Sequence, residues 1–371
     1  MDARQTGRTR TQWAVVGGGN GGQAAAAHLA LLGFPVRLYD IFPATVEAIQ
    51  AQGGIDVRGV LQGFGGLEAS SADLNDVISG ADVVMVVTPA TAHADIAKRC
   101  APLLRDGQLV FLHPGSTGGA LEFRSVLQEA GCRAEILLAE SSSLLYACRS
   151  PQPGRVELFA IKKELMVAAL PAGSVDRVLD VLHPAFPQLY AGTNVLETSL
   201  TNPNAMLHPA PTLLNTSMIE SGRDWRYYWD GITTSIGAFV EALDAERLAV
   251  GQAFGITLTP IVQWYHEAYQ AEGDSLVEAV QNNQAYAGIK GQGTLQTRYL
   301  LEDIPMGLVP MQALGRLAGY EPERMQTIIR LAEQLLERDL SRCGRNLERL
   351  GLKGFSKDRL LHFLEQGIWE D

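Results

Sequence analysis

The stretch WAVVGGGNGGQAAAAHLALLGFPVRLYDI, residues 13–41, passes from a short apolar run through a cluster of glycines into an alanine-rich segment, then into an alternating run at Val36–Tyr39. That order predicts a strand, a helix and a second, parallel strand. Within GGGNGG, Gly17 suits the tight turn, Gly19 the close approach of a pyrophosphate and Gly22 the packing of helix on strand, with Asn20 in the same turn. A glycine cluster alone is a weak signal. Here it follows a strand, opens a helix and is trailed by Asp40 at the end of the second strand, where a carboxylate can bind the hydroxyls of an adenosine ribose. The bland alternative is a glycine-rich turn with Asp40 as a solvated strand end. The charge of Asp40 would repel a 2′-phosphate, and Ile41, Phe42 and Pro43 bring no arginine to attract one, so the reading favours NAD(H) over NADP(H). Arg37, the one nearby cation, falls on the opposite strand face from Leu38.

Working outward, ADVVMVVTPA (81–90) and GQLVFLHPG (107–115) read as buried strands, and the intervening HADIAKRCAPLL has helical spacing. EILLAE and VELFAIKKELMVAAL extend the strand pattern to about Leu170, and DRVLDVLHPAF reads as a helix closing the domain and ending the sheet. The fold class is therefore α/β: a doubly wound parallel sheet of Rossmann type. Beyond about Thr193, segments such as SIGAFVEALDAERLAVGQAFG and PERMQTIIRLAEQLLERDL carry apolar residues at helical spacing, which predicts a mainly α-helical second domain. The boundaries read as 1–188 and 189–371, with a ligand-holding cleft expected between the two domains.

Composition excludes several functions. Hydrophobic residues at 46% and charged residues at 19% are ordinary globular values, and 371 residues suit two cores. The run Val83–Val87 is strand length, far short of the roughly 20 residues of a membrane span. A net charge of -11 with no basic stripe argues against nucleic acid as a partner. The four cysteines lack the spacing of a disulfide framework or a zinc site, and no metal is expected. The polar MDARQTGRTR has no apolar segment behind it and reads as a short frayed leader, so the expected location is cytoplasmic. Dimerisation through the helical domain is a further expectation.

Among seven histidines, His28, His93 and His362 have structural readings. His208 differs. It lies in TSLTNPNAMLHPAP, dense in hydrogen-bonding side chains, with Asn204 one helical turn upstream. Pro209 and Pro211 are expected to end that helix and hold His208 at its C-terminus, where the dipole raises an imidazole's pKa and suits a general acid.

Several long segments in order, GGGNGG, HPGSTGGALEF, ESSSLLYACR, TSLTNPNAMLHPAPTLLN, TRYLLEDIPMGLVP and GRNLERLGL, give the chain a resemblance to the opine dehydrogenase family. These enzymes reductively join amino acids to keto acids. The resemblance implies a general acid/base at His208 paired with Asp303. It also implies an Arg298 that meets the cofactor pyrophosphate as the domains close, and an Asn204 at the substrate. A carboxylate on one imidazole nitrogen fixes the tautomer and raises the basicity of the other, which suits Asp303 to the role; its structural alternative is a helix N-cap. The alternative for Arg298 is a surface ion pair with Glu302. HPGSTGGA, Ser141–Ser143 and Tyr146 are expected to line the keto acid and nicotinamide, with Ser143 at the substrate, while Trp264 and Tyr265 shape an amino-acid pocket or pack as core. The expected substrates are an L-amino acid and a keto acid, pyruvate foremost. Two rivals stand beside this reading: a ketopantoate or hydroxy-acid type carbonyl reductase on the same architecture, and a non-catalytic NAD(H) sensor.

Overall fold

In the computed structural model, which describes residues 10–367, the chain divides into two compact units: Met1–Gly115 with Val126–Thr193, and Ser116–Ser125 with Asn194–Asp371. The leader, residues 1–9, lies outside the described residues.

The first unit holds β1 (Trp13–Val16), β2 (Val36–Tyr39), β3 (Gly54–Gly59), β4 (Gly63–Gly66), β5 (Ala69–Ser71), β6 (Val83–Val86), β7 (Leu109–Leu112), β8 (Leu137–Ser141), β9 (Tyr146–Gln152), β10 (Arg155–Ile161), β11 (Leu165–Leu170) and β12 (Leu189–Ala191). Eight of them form one sheet in the order β12-β11-β8-β7-β6-β1-β2-β5. Its pairs are parallel except β8 with β11. Every residue of β1, β6 and β7 is buried, as expected of strands covered on both faces. The chain leaves β1 toward β2 on one side, and β6 lies on the other. This is the switch point outside whose carboxyl strand ends such sheets bind ligands, and GGGNGG sits at that end of β1.

The structure corrects the sequence reading in two places. The sheet does not end with the helix Val175–Leu182, because β12 follows it and pairs in parallel with β11. A three-residue strand is too short to show a period. The segment VELFAIKKELMVAAL does not continue one sheet: β11 joins the large sheet, while β10 joins a second sheet of order β4-β3-β10-β9. That second sheet lies against the Asn20–Leu31 helix. A Cβ on Gly65 would fall 2.7 Å from Ala27 Cα, so strand and helix meet backbone to backbone. The run Ala24–Ala27, each residue at most 1% exposed, is thereby explained: a helix covered on two sides has room only for small side chains. The chain passes from one compact unit to the other at Thr193 and Asn194, near the expected boundary, and residues 116–125 group with the helical unit.

That grouping has a physical basis within the second unit. The fully buried Arg345 donates to Glu122 Oε2 at 2.8 Å and to the Thr117 carbonyl at 2.9 Å, and Arg349 reaches Glu122 Oε1 at 2.6 Å. Thr117 N donates to the Met306 carbonyl and Gly118 N to Ser199 Oγ. Contacts so distant in sequence leave no local pattern to read. The remainder of the unit is helical, its longest helix being Thr234–Ala253.

At the carboxyl ends of β7 and β8, His113 orders the ESSSLL loop. Leu145 N donates to its Nε2 at 3.1 Å, so Nδ1–H donates to Ser141 Oγ at 2.8 Å, and Ser141 in turn donates to the Ser143 carbonyl at 3.0 Å. Burial, with the nearby Lys162 ammonium adding to it, pushes the imidazole down to about 3. Between that value and the ordinary 6.5 the unfolded chain binds a proton that the folded chain refuses. Folding stability should therefore fall with pH below about 6.5, by about 1.4 kcal/mol per unit from this group. Urea melts from pH 6.5 to 5 should show a shallower slope, by one proton, in His113→Gln than in the wild type; equal slopes would contradict a neutral His113.

Candidate active site

The nucleotide half of the site is built by the turn after β1. Gly17 has φ +116°, where a side chain is strained, and a Cβ on Gly22 would sit 1.6 Å from the Gly17 carbonyl oxygen. Gly19 is exposed, and a Cβ there would meet nothing within 4 Å, so the space beside it is open to a ligand. The Asn20–Leu31 helix begins with Gly19 as its N-cap, without a side-chain cap and without an acidic residue in its first turn. Its N–H groups and dipole are thus left for an anion. Asn20 Oδ1 accepts from Ser150 N at 2.9 Å, which ties the turn to β9. These residues fit a dinucleotide pyrophosphate.

Asp40 is 7% exposed and does more than the strand-end reading assigned to it. Its Oδ2 accepts from Gly18 N at 2.6 Å and its Oδ1 from Phe42 N at 2.8 Å. A Cβ on Gly18 would lie 2.6 Å from that Oδ2, so Gly18 is constrained much as Gly17 and Gly22 are. Each carboxylate oxygen keeps a second lone pair for a hydroxyl. Arg37 donates to the carbonyls of Asp76 and Ser79 and pairs with Glu68, away from this carboxylate. Ser143 Oγ accepts from Lys162 Nζ at 2.5 Å.

The second unit gathers the other residues. His208 Nδ1 donates to Asp303 Oδ2 at 2.7 Å, with the two residues 7% and 5% exposed. Asp303 stands at the N-terminus of a π-helical turn, Ile304–Leu308, but its side chain caps nothing there and is spent on the imidazole. The helix carrying Asn204 does end at His208, as expected; what the two prolines did not announce is that Pro209 at once begins another helix. The helix Asn204–Leu207 has His208 as its C-cap, and Pro209 is the first residue of a new helix, Pro209–Leu214. Proline lacks the N–H that a first turn leaves unused. His208 therefore stands between helix ends of opposite sign, with Asp303 on its Nδ1.

Three tyrosines complete the setting, none of them found from the sequence. The Tyr299 ring stacks on the imidazole at 3.8 Å and 8°. Tyr227 OH donates to the His208 carbonyl at 2.8 Å and closes a chain that runs from Thr297 Oγ1 through Gln292 and Thr212. Tyr228 OH lies 3.1 Å from His208 Nε2. The signals were present, as the aromatic run DWRYYWDG and as the tyrosine between Arg298 and Asp303, but aromatics of a core look the same. Asn204 is half-buried, and among the described residues its side chain makes no hydrogen bond. Arg298 is 62% exposed and 3.4 Å from Glu302, the surface ion pair considered as its alternative. Tyr265 is fully buried against Trp264 and Tyr286, a core aromatic.

A glycine turn on a doubly wound sheet, with a carboxylate-held histidine in a helical unit, defines a nicotinamide-dependent oxidoreductase. Comparison with known proteins narrows the class. Residues 191–336 match the alpha-helical domain of NAD/NADP octopine/nopaline dehydrogenase, and residues 12–129 the N-terminus of NAD-dependent glycerol-3-phosphate dehydrogenase. An opine dehydrogenase of Arthrobacter sp. (strain 1C) is 43% identical over 93% of this chain and 96% of its own. Octopine dehydrogenase of Mizuhopecten yessoensis is 26% identical over 86% of this chain and 88% of its own. A solved structure of octopine dehydrogenase with NADH and L-arginine superposes with a TM-score of 0.80 at 24% identity, covering 97% of this chain and 99% of that one. The chain belongs to the opine dehydrogenase family and is an NAD-dependent oxidoreductase acting on CH–NH donors.

Gly22→Ala should raise the Kd for NADH by about ten- to a hundredfold, since relieving an overpacked contact costs roughly 1–3 kcal/mol and 1.4 kcal/mol is tenfold. Titration of protein fluorescence measures it; an unchanged Kd would mean that the turn does not shape the binding site.

Proposed function

We propose that the enzyme condenses the amino group of an L-amino acid with a 2-oxo acid, pyruvate, and reduces the resulting imine to a secondary amine dicarboxylate, reversibly and with NADH in preference to NADPH. The observation that carries the reading is the buried 2.7 Å contact between His208 Nδ1 and Asp303 Oδ2. Octopine dehydrogenase has been solved with NADH and L-arginine and with NADH and pyruvate, which supports this pair of substrate classes.

Bound NADH supplies the hydride for the imine carbon. The chain's own residues manage position and protons. Asp303 holds the imidazole in the tautomer that leaves Nε2 as the basic nitrogen, and its negative charge stabilises the imidazolium. His208 is then the acid that furnishes the proton for the new amine, and in reverse the base that removes it. Asn204 offers a free amide to a substrate carboxylate or carbonyl, and Ser143 a hydroxyl held by Lys162. Arg298, always charged and forked, binds pyrophosphate oxygens in exchange for its exposed pairing with Glu302. Asp40 disfavours a 2′-phosphate by charge, which underlies the preference for NADH.

NADH oxidation with pyruvate should depend on added L-amino acid, a pool of which is then resolved singly, and should be faster than with NADPH. Oxidation equally fast without amine would replace this reading with carbonyl reduction. Asp303→Asn, which keeps the shape but not the charge, should lower kcat on the order of 10²- to 10⁴-fold with the NADH Kd retained; steady-state kinetics beside fluorescence titration checks it, and full turnover in the variant would remove Asp303 from the mechanism.

A further inference from the structure

With the Asp303 carboxylate accepting from Nδ1–H, the neutral His208 imidazole has a single lone pair left, at Nε2. That lone pair is already used. Tyr228 OH lies 3.1 Å from Nε2, and since Nε2 can only accept, the phenol donates. Both partners are buried, at 4% and 7% exposure. The Tyr228 hydroxyl makes no other hydrogen bond among the described residues, so its oxygen retains lone pairs and no competing acceptor holds its proton. Its ring is fixed by Tyr286 at 4.3 Å and by Tyr227 edge-on at 5.0 Å, which leaves the hydroxyl on Nε2 with little freedom to swing aside. A substrate nitrogen cannot bind Nε2 directly while the phenol is there.

We infer that Tyr228 is a further catalytic residue: its phenol, and not the imidazole itself, exchanges the proton with the substrate nitrogen, so that Asp303, His208 and Tyr228 form a relay. This rests on the reductive condensation proposed above. In the synthetic direction His208 begins as the imidazolium and its Nε2–H donates to the Tyr228 oxygen. The Tyr228 O–H proton passes to the imine nitrogen as the hydride reaches the imine carbon. The Nε2–H proton moves onto the phenol oxygen in the same step. The C=N double bond becomes a C–N single bond with one new C–H and one new N–H; Tyr228 ends neutral, His208 ends as neutral imidazole, and Asp303 is a carboxylate throughout. In the reverse direction the phenol takes the amine proton while giving its own to Nε2, which is the hydrogen-bond direction of the structure.

The surroundings suit a residue that shuttles a proton without holding a charge. Among the described residues the ionisable groups around Tyr228 are His208, Tyr227, Tyr265, Tyr286 and Tyr299, with Asp303 behind the imidazole, and none of them is a lysine or an arginine. Burial, joined by the neighbouring phenols, keeps the Tyr228 hydroxyl well above its ordinary value, so a free phenolate does not accumulate.

The test compares wild type, Tyr228→Phe and His208→Ala in amine-dependent NADH oxidation, with the NADH Kd measured alongside. The relay predicts that Tyr228→Phe lowers kcat on the order of 10²- to 10⁴-fold with the Kd unchanged, as for loss of a general acid. If Tyr228 is instead a plug that substrate pushes away, Tyr228→Phe keeps or raises kcat and lowers the amino-acid KM, which overturns the relay while His208→Ala remains inactive. If wild type shows no amine dependence, the proposed reaction fails, and the relay with it. Should Tyr228→Phe not bind NADH, site-specific fluorotyrosine at the same position replaces it. Its more acidic phenol should move the pH limits of kcat under the relay, and an unmoved profile would overturn it.

Discussion

A carboxylate that can only accept hydrogen bonds, set against one nitrogen of a buried imidazole, is the contact around which the second unit's polar residues are arranged. With Asp303 accepting from Nδ1–H, Nε2 is left as the acceptor that meets Tyr228, and the remaining contacts hold that arrangement in place. Tyr299 covers the imidazole face, Tyr227 anchors the His208 carbonyl, and the end of one short helix joined to the start of the next sets the backbone. Asp303 owes its position to the π-helical turn that follows it, with Pro305 in the turn's first residues. Turns of this kind recur at functional sites because they redirect a side chain without ending the helical path.

The nucleotide half depends on closeness instead of charge pairing. Gly22 against the Gly17 carbonyl and Gly18 against the Asp40 carboxylate are contacts that no Cβ would permit, while Gly19 borders open space. Asp40 serves two ends at once. It stabilises the turn through Gly18 N and Phe42 N, and it retains lone pairs for a ribose. The second sheet, packed on the Asn20–Leu31 helix, turns the four-alanine run from a mere helix-forming stretch into a packing requirement.

Much of this was legible in the sequence. The glycine turn, Asp40, the parallel strands and the helical second half follow from local periods of about two and 3.6 residues and from turn chemistry, all carried by neighbours in the chain. His208 stood out by its polar surroundings, and its partner Asp303 came from resemblance, since 95 residues separate the two. Local rules also had a limit. Two prolines were read as a helix end, and the helix does end at His208, but Pro209 also begins the next one, because proline is disfavoured inside a helix and suited to its first turn.

The amino-acid sequence by itself determined the class of fold, the dinucleotide turn and the polar segment that carries His208, because each is written within a few dozen consecutive residues. Tertiary structure alone decided that β10 and β11 go to different sheets, that residues 116–125 group with the helical unit through Arg345 and Glu122, and that the second nitrogen of His208 faces the hydroxyl of Tyr228. Those outcomes depend on which distant side chains share a small volume, and sequence spacing carries no record of that.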